Sequence, residues 1–236
     1  MTAMNQSARH SQHRALDFWL ARGAVLVIVG LQIGIVNDLM IGPRWLAPTL
    51  ELALLVPLSI ATAWTQRRAR NASTDEQWTR VGSQRKQVRW LAIALTAVVT
   101  LMNCGALVRL IAAILAGTAG TGRTLLLDAV NIWVTNVIIF ALWFWALDRG
   151  GSAGAFARRA NDFLFTQQQT GDPERFASWS PGFIDYLFLA FTNATAFSPA
   201  DTFPLTVRAK LLMMAESAIS LATIALVASR AVGILS

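Results

Sequence analysis

Glu216, Ser220, Thr223 and Arg230 follow one another at spacings of 4, 3 and 7 inside an otherwise apolar stretch. That spacing sets all four on one face of a helix. Polar groups of this kind must face protein or water rather than lipid, and Glu216 is the one among them most suspected of function. Fastening one helix to another by hydrogen bonds is the other use for the same stripe. Just upstream, Thr192, Asn193, Thr195, Ser198 and Asp201 crowd the end of a short aromatic run. They suit a re-entrant segment lining a cavity, or the mouth of a short span. A third candidate is Arg109, deep in an apolar run, where insertion costs about 2.5–3.5 kcal/mol unless the charge finds a partner. Asp128 in the next run is the natural partner. If a tight turn joins the two runs, Arg109 lies about 10 Å and Asp128 about 6 Å below the same interface. Such a pair either orients two helices or takes part in moving an ion or a proton.

Other chemistry-bearing residues carry less. Gly117-Thr-Ala-Gly-Thr-Gly122-Arg123-Thr124 imitates a phosphate-binding loop, but no strand precedes it and Arg stands where Lys is required, so it reads as a hairpin turn. His10 and His13 could share a metal, yet they lie in a polar tail expected to be disordered, with no third ligand beside them. The single cysteine, Cys104, excludes an internal disulfide and a thiolate cage. The sequons at Asn71 and Asn193 are uninformative, one falling in a cytoplasmic loop and the other at the membrane. No nucleophile has a histidine near it, so the chain is expected not to be an enzyme, with no catalytic residues, cofactor or metal.

These residues are positioned by apolar runs long enough to need a bilayer. With 55% hydrophobic and 14% charged residues, the chain carries more apolar surface than an ordinary soluble domain can hide. The first span covers about Phe18 to Ile41, with Gly30 and Gly34 at the spacing that lets a second helix come close. It is read as a retained span rather than a cleaved leader. The second lies between Trp45 and Trp64, an aromatic residue at each interface, with Pro48 in its first turn and a kink expected at Pro57. The third runs from Val88 to Ala116 and the fourth from about Thr124 to Leu147, joined closely enough to form an antiparallel hairpin. Ala153 to Phe165 suits either an amphipathic surface helix or a soluble loop. Ser180 and Pro181 read as N-cap and first helical position of the next element. From Gly182 to Phe197 only about 16 residues are apolar, roughly 24 Å of helix, short of a ~30 Å core. Leu205 to Leu235 gives about 46 Å and must tilt or protrude.

Charge sets the orientation. In chain order the segments flanking these runs hold 3, 1, 7, 1, 4, 2 and 1 Lys and Arg, with Arg109 left inside a span. Both termini together with the second and fourth loops hold 15, against 4 in the other three loops. This is the positive-inside bias of a polytopic protein with both ends in the cytoplasm. The net charge of +7 is therefore a matter of lipid and topology, not of nucleic-acid binding. The Arg-rich, Ala-rich composition suits a bacterial protein of the inner (plasma) membrane.

The region from Asp185 to Arg230 resembles the C-terminal part of an uncharacterised family of bacterial polytopic integral membrane proteins. The shared features are an aromatic helix, a Thr-x-Phe step, an Asp soon after, and a long final helix. The same layout is distantly similar to the pore helix, filter and inner helix of tetrameric potassium channels. That similarity implies pore-like architecture in about a quarter of the chain. Thr195 is followed by Ala196, Phe197, Ser198 and Pro199 in place of the filter glycines, so potassium selectivity is not implied. Charge also opposes the usual channel orientation, which with the fourth span as outer helix would place the seven-charge loop outside.

The expected fold is an all-α polytopic transmembrane helical bundle with six membrane elements, one short and either spanning or re-entrant. Residues 1–14 are a polar cytoplasmic tail, and 15–236 form a single transmembrane domain with cytoplasmic loops 65–88 and 148–180. The expected function is permeation of an ion or small solute through a homo-oligomer, using Thr192 to Asp201 and the stripe around Glu216. A non-transporting structural or accessory membrane protein is the alternative. Membrane lipid and an inorganic ion are the expected partners.

Overall fold

The computed structural model describes residues 2–34, 49, 52–53, 55–56, 59–64, 75–118, 122–148, 161–169, 179–195 and 202–235. The protein is mostly helical. Its elements are α1 (Thr2–Gly34), α2 (Asp75–Leu115), α3 (Gly122–Asp148), β1 (Phe163–Phe165), α4 (Thr166–Gln169), α5 (Phe183–Ala194), β2 (Thr202–Pro204) and α6 (Val207–Leu235). Residues 59–64 are also helical. Among the described residues, three helices are long and apolar enough to cross a membrane: Gly82–Leu115, Gly122–Asp148 and Val207–Ala228. Trp19–Ile33 and Phe183–Ala194 are shorter apolar helices.

Helix α3 is the axis, packed against α1, α2, α5 and α6. Within its apolar stretch 72% is buried, compared with 28% and 22% for the stretches in α2 and α6. A helix apolar all round belongs in the middle of a bundle, while its neighbours present one face to protein and the other outward. The α2–α3 hairpin forms as the short connection requires. Leu115 ends α2, and Gly117 adopts φ +67, the left-handed conformation a glycine takes just past a helix end. The Gly117 and Thr118 amides donate to the Ile114 and Ala113 carbonyls. Further along the hairpin, Trp143 Nε1 donates to Thr100 Oγ1 at 2.9 Å and Asn103 Nδ2 to the Ile132 carbonyl at 3.2 Å.

Several local expectations change. Residues 2–14 do not form a disordered tail; they continue α1. Helix α2 starts at Asp75, inside the segment read as a loop, because Asp75 to Gln87 lacks proline and is mostly Glu, Gln, Arg and Lys, all tolerant of helix. The C-terminal end of Ala153–Phe165, read as either a surface helix or a soluble loop, is β1, paired antiparallel with β2 in the register Phe163↔Pro204, Leu164↔Phe203, Phe165↔Thr202. Phe163 and Phe165 are buried and Leu164 only partly so, a period of two that a strand satisfies and a helix does not. The small sheet qualifies the all-α expectation.

Ser180 and Pro181 precede α5 rather than start it; its N-cap is Gly182. Two carboxylates complete this cap. Asp185 Oδ2 accepts from the Gly182 amide at 2.7 Å, and Asp17 Oδ1, from α1, accepts from the Phe183 amide at 3.1 Å. A Cβ at residue 182 would sit 2.5 Å from that same Asp17 oxygen, so glycine is what lets Asp17 in. Asp17→Ala should lower stability by about 1 kcal/mol, the usual worth of a cap. Gly182→Ala should cost a similar amount in the native background and almost nothing once Asp17 is alanine, measured by thermal unfolding in detergent. Additive losses would contradict the shared contact.

Candidate functional site

Two polar clusters lie along α3, one at its C-terminal end and one near its middle. At the end, Asp148 gathers donors from two other segments. Its Oδ1 accepts from the amides of Asp162 (2.5 Å) and Phe163 (3.3 Å), and its Oδ2 from the Tyr186 hydroxyl (2.5 Å). Asp162 in turn accepts from the Thr206 hydroxyl at 2.5 Å and from Arg208 Nε at 2.7 Å, with Arg208 Nη2 against its second oxygen. Thr206 also caps α6, its oxygen accepting from the Ala209 amide. Edge-to-face aromatic contacts line this cluster: Phe163 against Phe144 and Tyr186, and Phe165 against Tyr186 and Trp179. Tyr186, Phe163 and Asp162 are all buried.

The end cluster fixes direction. Tyr186, in the first turn of α5, and Arg208, in the first turn of α6, are both tied to the end of α3 that carries Asp148. Seven residues on, Asn193 meets Met213 and Glu216, five and eight residues beyond Arg208. Helices α5 and α6 therefore start at the same end and run parallel, both antiparallel to α3. Thr195, at the far end of α5, and Thr202, back in the sheet, lie at opposite levels.

The middle cluster is where they meet. Asn193 Nδ2 donates to the Met213 carbonyl at 2.9 Å and to Glu216 Oε2 at 2.7 Å. From α3, Asn136 Nδ2 donates to Ser220 Oγ at 2.9 Å and to the Glu216 carbonyl at 3.3 Å. Ser217 Oγ donates to the Asn193 carbonyl. Glu216 is 0% exposed. Its second oxygen, Oε1, is buried with no hydrogen-bond partner among the described residues, although a carboxylate has room for about four donors.

Of the sequence candidates, Asn193, Glu216 and Ser220 come together here, with buried Thr223 one turn further, its hydroxyl turned back to the Ile219 carbonyl. Thr192 and Thr195 do not join them; their hydroxyls donate to carbonyls of their own helix at Phe188, Leu189, Phe191 and Thr192. Ser198 and Asp201 lie outside the described residues. Asp128 is buried and Arg109 exposed, on facing helices of the hairpin. Sequence reasoning missed Asn136, Asp148 and Tyr186. Asn136 had a readable signal, an amide in the middle of an apolar span eight residues from Asp128, two turns along one face. Among the described residues no group of three His, Cys, Asp or Glu could hold a metal ion.

No protein-family model, curated protein or solved structure matches the chain. The site therefore stands on its own geometry.

Truncating the two amides should separate their roles. Asn136→Ala removes hydrogen bonds between helices that are each worth about 0.6–1.7 kcal/mol inside a membrane. Asn193→Ala also strips the carboxylate of its one side-chain donor and should cost about 1.5–3 kcal/mol. A loss below about 1 kcal/mol for Asn193→Ala on thermal unfolding in detergent would contradict a strongly polar Glu216 held by Asn193.

Proposed function

We propose that this is an integral protein of the inner (plasma) membrane that lets an ion or small solute permeate, with a cation favoured and Glu216 at the narrowest polar point. The observation that carries the reading is the buried Glu216 carboxyl, whose Oε1 faces no donor among the described residues, set beside the end of a half-length helix. Glu216 lies eight residues, about 12 Å, past Arg208, close to the middle of a ~30 Å hydrocarbon core entered from the Asp148 end. Helix α5, at 12 residues or about 18 Å, reaches this level and stops. Its C-terminal end carries the negative pole of the helix dipole, which together with a carboxylate attracts a cation at mid-membrane depth.

The membrane arrangement that fits has α1, the segment 45–64, α2, α3 and α6 crossing, and α5 re-entering from the side of Asp148. The N-terminal segment through Arg22, the loop at 65–88 with the adjoining Arg89, the loop at 148–180 and the start of α6 then share the cytoplasmic side, with 3, 7, 4 and 2 Lys and Arg. The other side receives 1, 1 and 1. This bias is steeper than the one obtained with both termini in the cytoplasm, because Arg208 and Lys210 move to the basic side. It places the C-terminus outside, a departure from the sequence-based expectation of two cytoplasmic ends. It also answers the charge objection to a pore-like layout: α3, α5 and α6 would stand as outer, pore and inner helices, with the pore helix entering from the cytoplasm. A homo-oligomer would place several copies around one path, and an Arg109–Asp128 pair would fasten the hairpin beside it.

The second reading, an accessory protein whose polar groups only join helices, is supported by the interhelical bonds of Asn136 and Asn193. Reconstitution into liposomes decides between them. Permeation predicts ion or solute flux above that of empty liposomes, lowered at least tenfold in Glu216→Ala. No flux, together with an unchanged Glu216→Ala variant, would leave only the accessory reading.

A further inference from the structure

We propose that the species Glu216 handles is a proton, bound on Oε1 and passed along the seam between α3 and α6. This rests on the permeation reading above and narrows its substrate to one ion.

The donors around Glu216 select for it. A sodium or potassium ion needs several oxygen ligands pointing at it, whereas the amide that holds this carboxyl, Asn193, presents its N–H group, and Asn136 presents its N–H to the Glu216 backbone carbonyl and Ser220 Oγ. Their orientation is set by their second acceptors: Asn193 Nδ2 also donates to the Met213 carbonyl, and Asn136 Nδ2 to the Glu216 carbonyl. Donor hydrogens repel a metal cation. A proton requires only one lone pair and no expansion of the site, and Oε1 offers that lone pair in a fully buried position.

The charged groups on the elements packed around the seam lie a turn or more from the carboxyl. On α6, Arg208 lies about 12 Å and Lys210 about 9 Å back along the axis and Arg230 about 21 Å further on; Arg208 is bound to Asp162 and Lys210 is exposed. On α1, which packs against α3 and α5, Asp17 caps the start of α5 and Arg22 is buried about 8 Å further along. On α5, Asp185 and Tyr186 are at the opposite end, about 12 Å and 10 Å from Asn193. On α3, Asp148 lies about 18 Å to one side of Asn136 and Asp128 about 12 Å to the other, both buried. On α2, Cys104 and Arg109 belong to the hairpin facing α3. Strand β2 contributes no titratable group. Buried carboxyls thus recur along α3 on both sides of Glu216, with the Ser220 and Thr223 hydroxyls in the same helix face, the arrangement of acidic groups found along proton pathways.

The step is a plain proton exchange. The Glu216 carboxylate takes a proton from hydronium arriving from the Asp148 end, leaving water. The carboxylic acid then returns the proton to a water molecule on the Asp128 side. No electron moves and no covalent bond other than O–H changes.

The test is proton flux into proteoliposomes holding a trapped pH-sensitive dye, driven by a potassium diffusion potential, with sodium and potassium flux measured on the same preparation. The expected result is proton flux at least tenfold above empty liposomes, reduced to the empty-liposome rate in Glu216→Gln and partly retained in Glu216→Asp. A second measurement needs no variant: a hydrophobic carbodiimide, which reacts with protonated carboxyls, should label Glu216 in the native protein, less as pH rises, and stop proton flux in proportion. Sodium, potassium or solute flux without proton flux overturns the proton inference and leaves the permeation reading intact. Unchanged proton flux after full modification of Glu216 also overturns it. Absence of every flux overturns both.

Discussion

The architecture depends on the carboxylate of Asp148. It sits at the last residue of the central helix and is buried, so its oxygens must find donors inside the protein. It takes them from the backbone amides of Asp162 and Phe163 and from the Tyr186 hydroxyl. Through Asp162 the same network reaches Thr206 and Arg208. One buried carboxyl group therefore holds the end of α3, the small sheet, the start of α5 and the start of α6 at a single level. The aromatic rings of Phe144, Phe163, Phe165 and Tyr186 pack around these bonds.

The parallel course of α5 and α6 follows from that junction, and the middle cluster follows from the parallel course. Had α5 run the other way, Asn193 would lie at the Asp148 end and Glu216 would have no donor from it. As built, the half-helix delivers an amide and its own negative pole to the same depth as a carboxyl on α6. A fold concerned with stability alone gains little from an acidic side chain there. An apolar residue of similar volume would spare the cost of burying a carboxyl with one oxygen unpartnered. That imbalance is the physical reason for assigning the position a function.

The apolar character of the long helices was legible in the sequence, since α2, α3 and α6 are long runs without proline. So was the polar face of α6, because spacing alone places Glu216, Ser220 and Thr223 on one side. The course of α5 was not legible. Its direction is set by contacts between residues far apart in sequence, Tyr186 with Asp148 and Asp162 with Arg208, and no local propensity records them. The strand at Phe163 was obscured for a similar reason, as a three-residue alternation of aromatic and aliphatic groups reads equally well as one side of a short helix. Asp17 could not have been assigned to the cap of α5, because a residue on another helix supplies what Ser180 was expected to supply locally. Thr192 and Thr195 were read as lining groups on polarity alone. Helical threonines commonly turn their hydroxyls back to the preceding turn, and these two do.

The claim on which the account turns is that α5 and α6 begin on the same side of the membrane, and sidedness measures it directly. In a Cys104→Ser background, single cysteines at Ser7, Ser152 and Ser236 can be labelled with a membrane-impermeant thiol reagent in intact cells and in inverted vesicles. Positions 7 and 152 should react from the cytoplasmic side and position 236 from the opposite side. Reaction of all three from one side would contradict it.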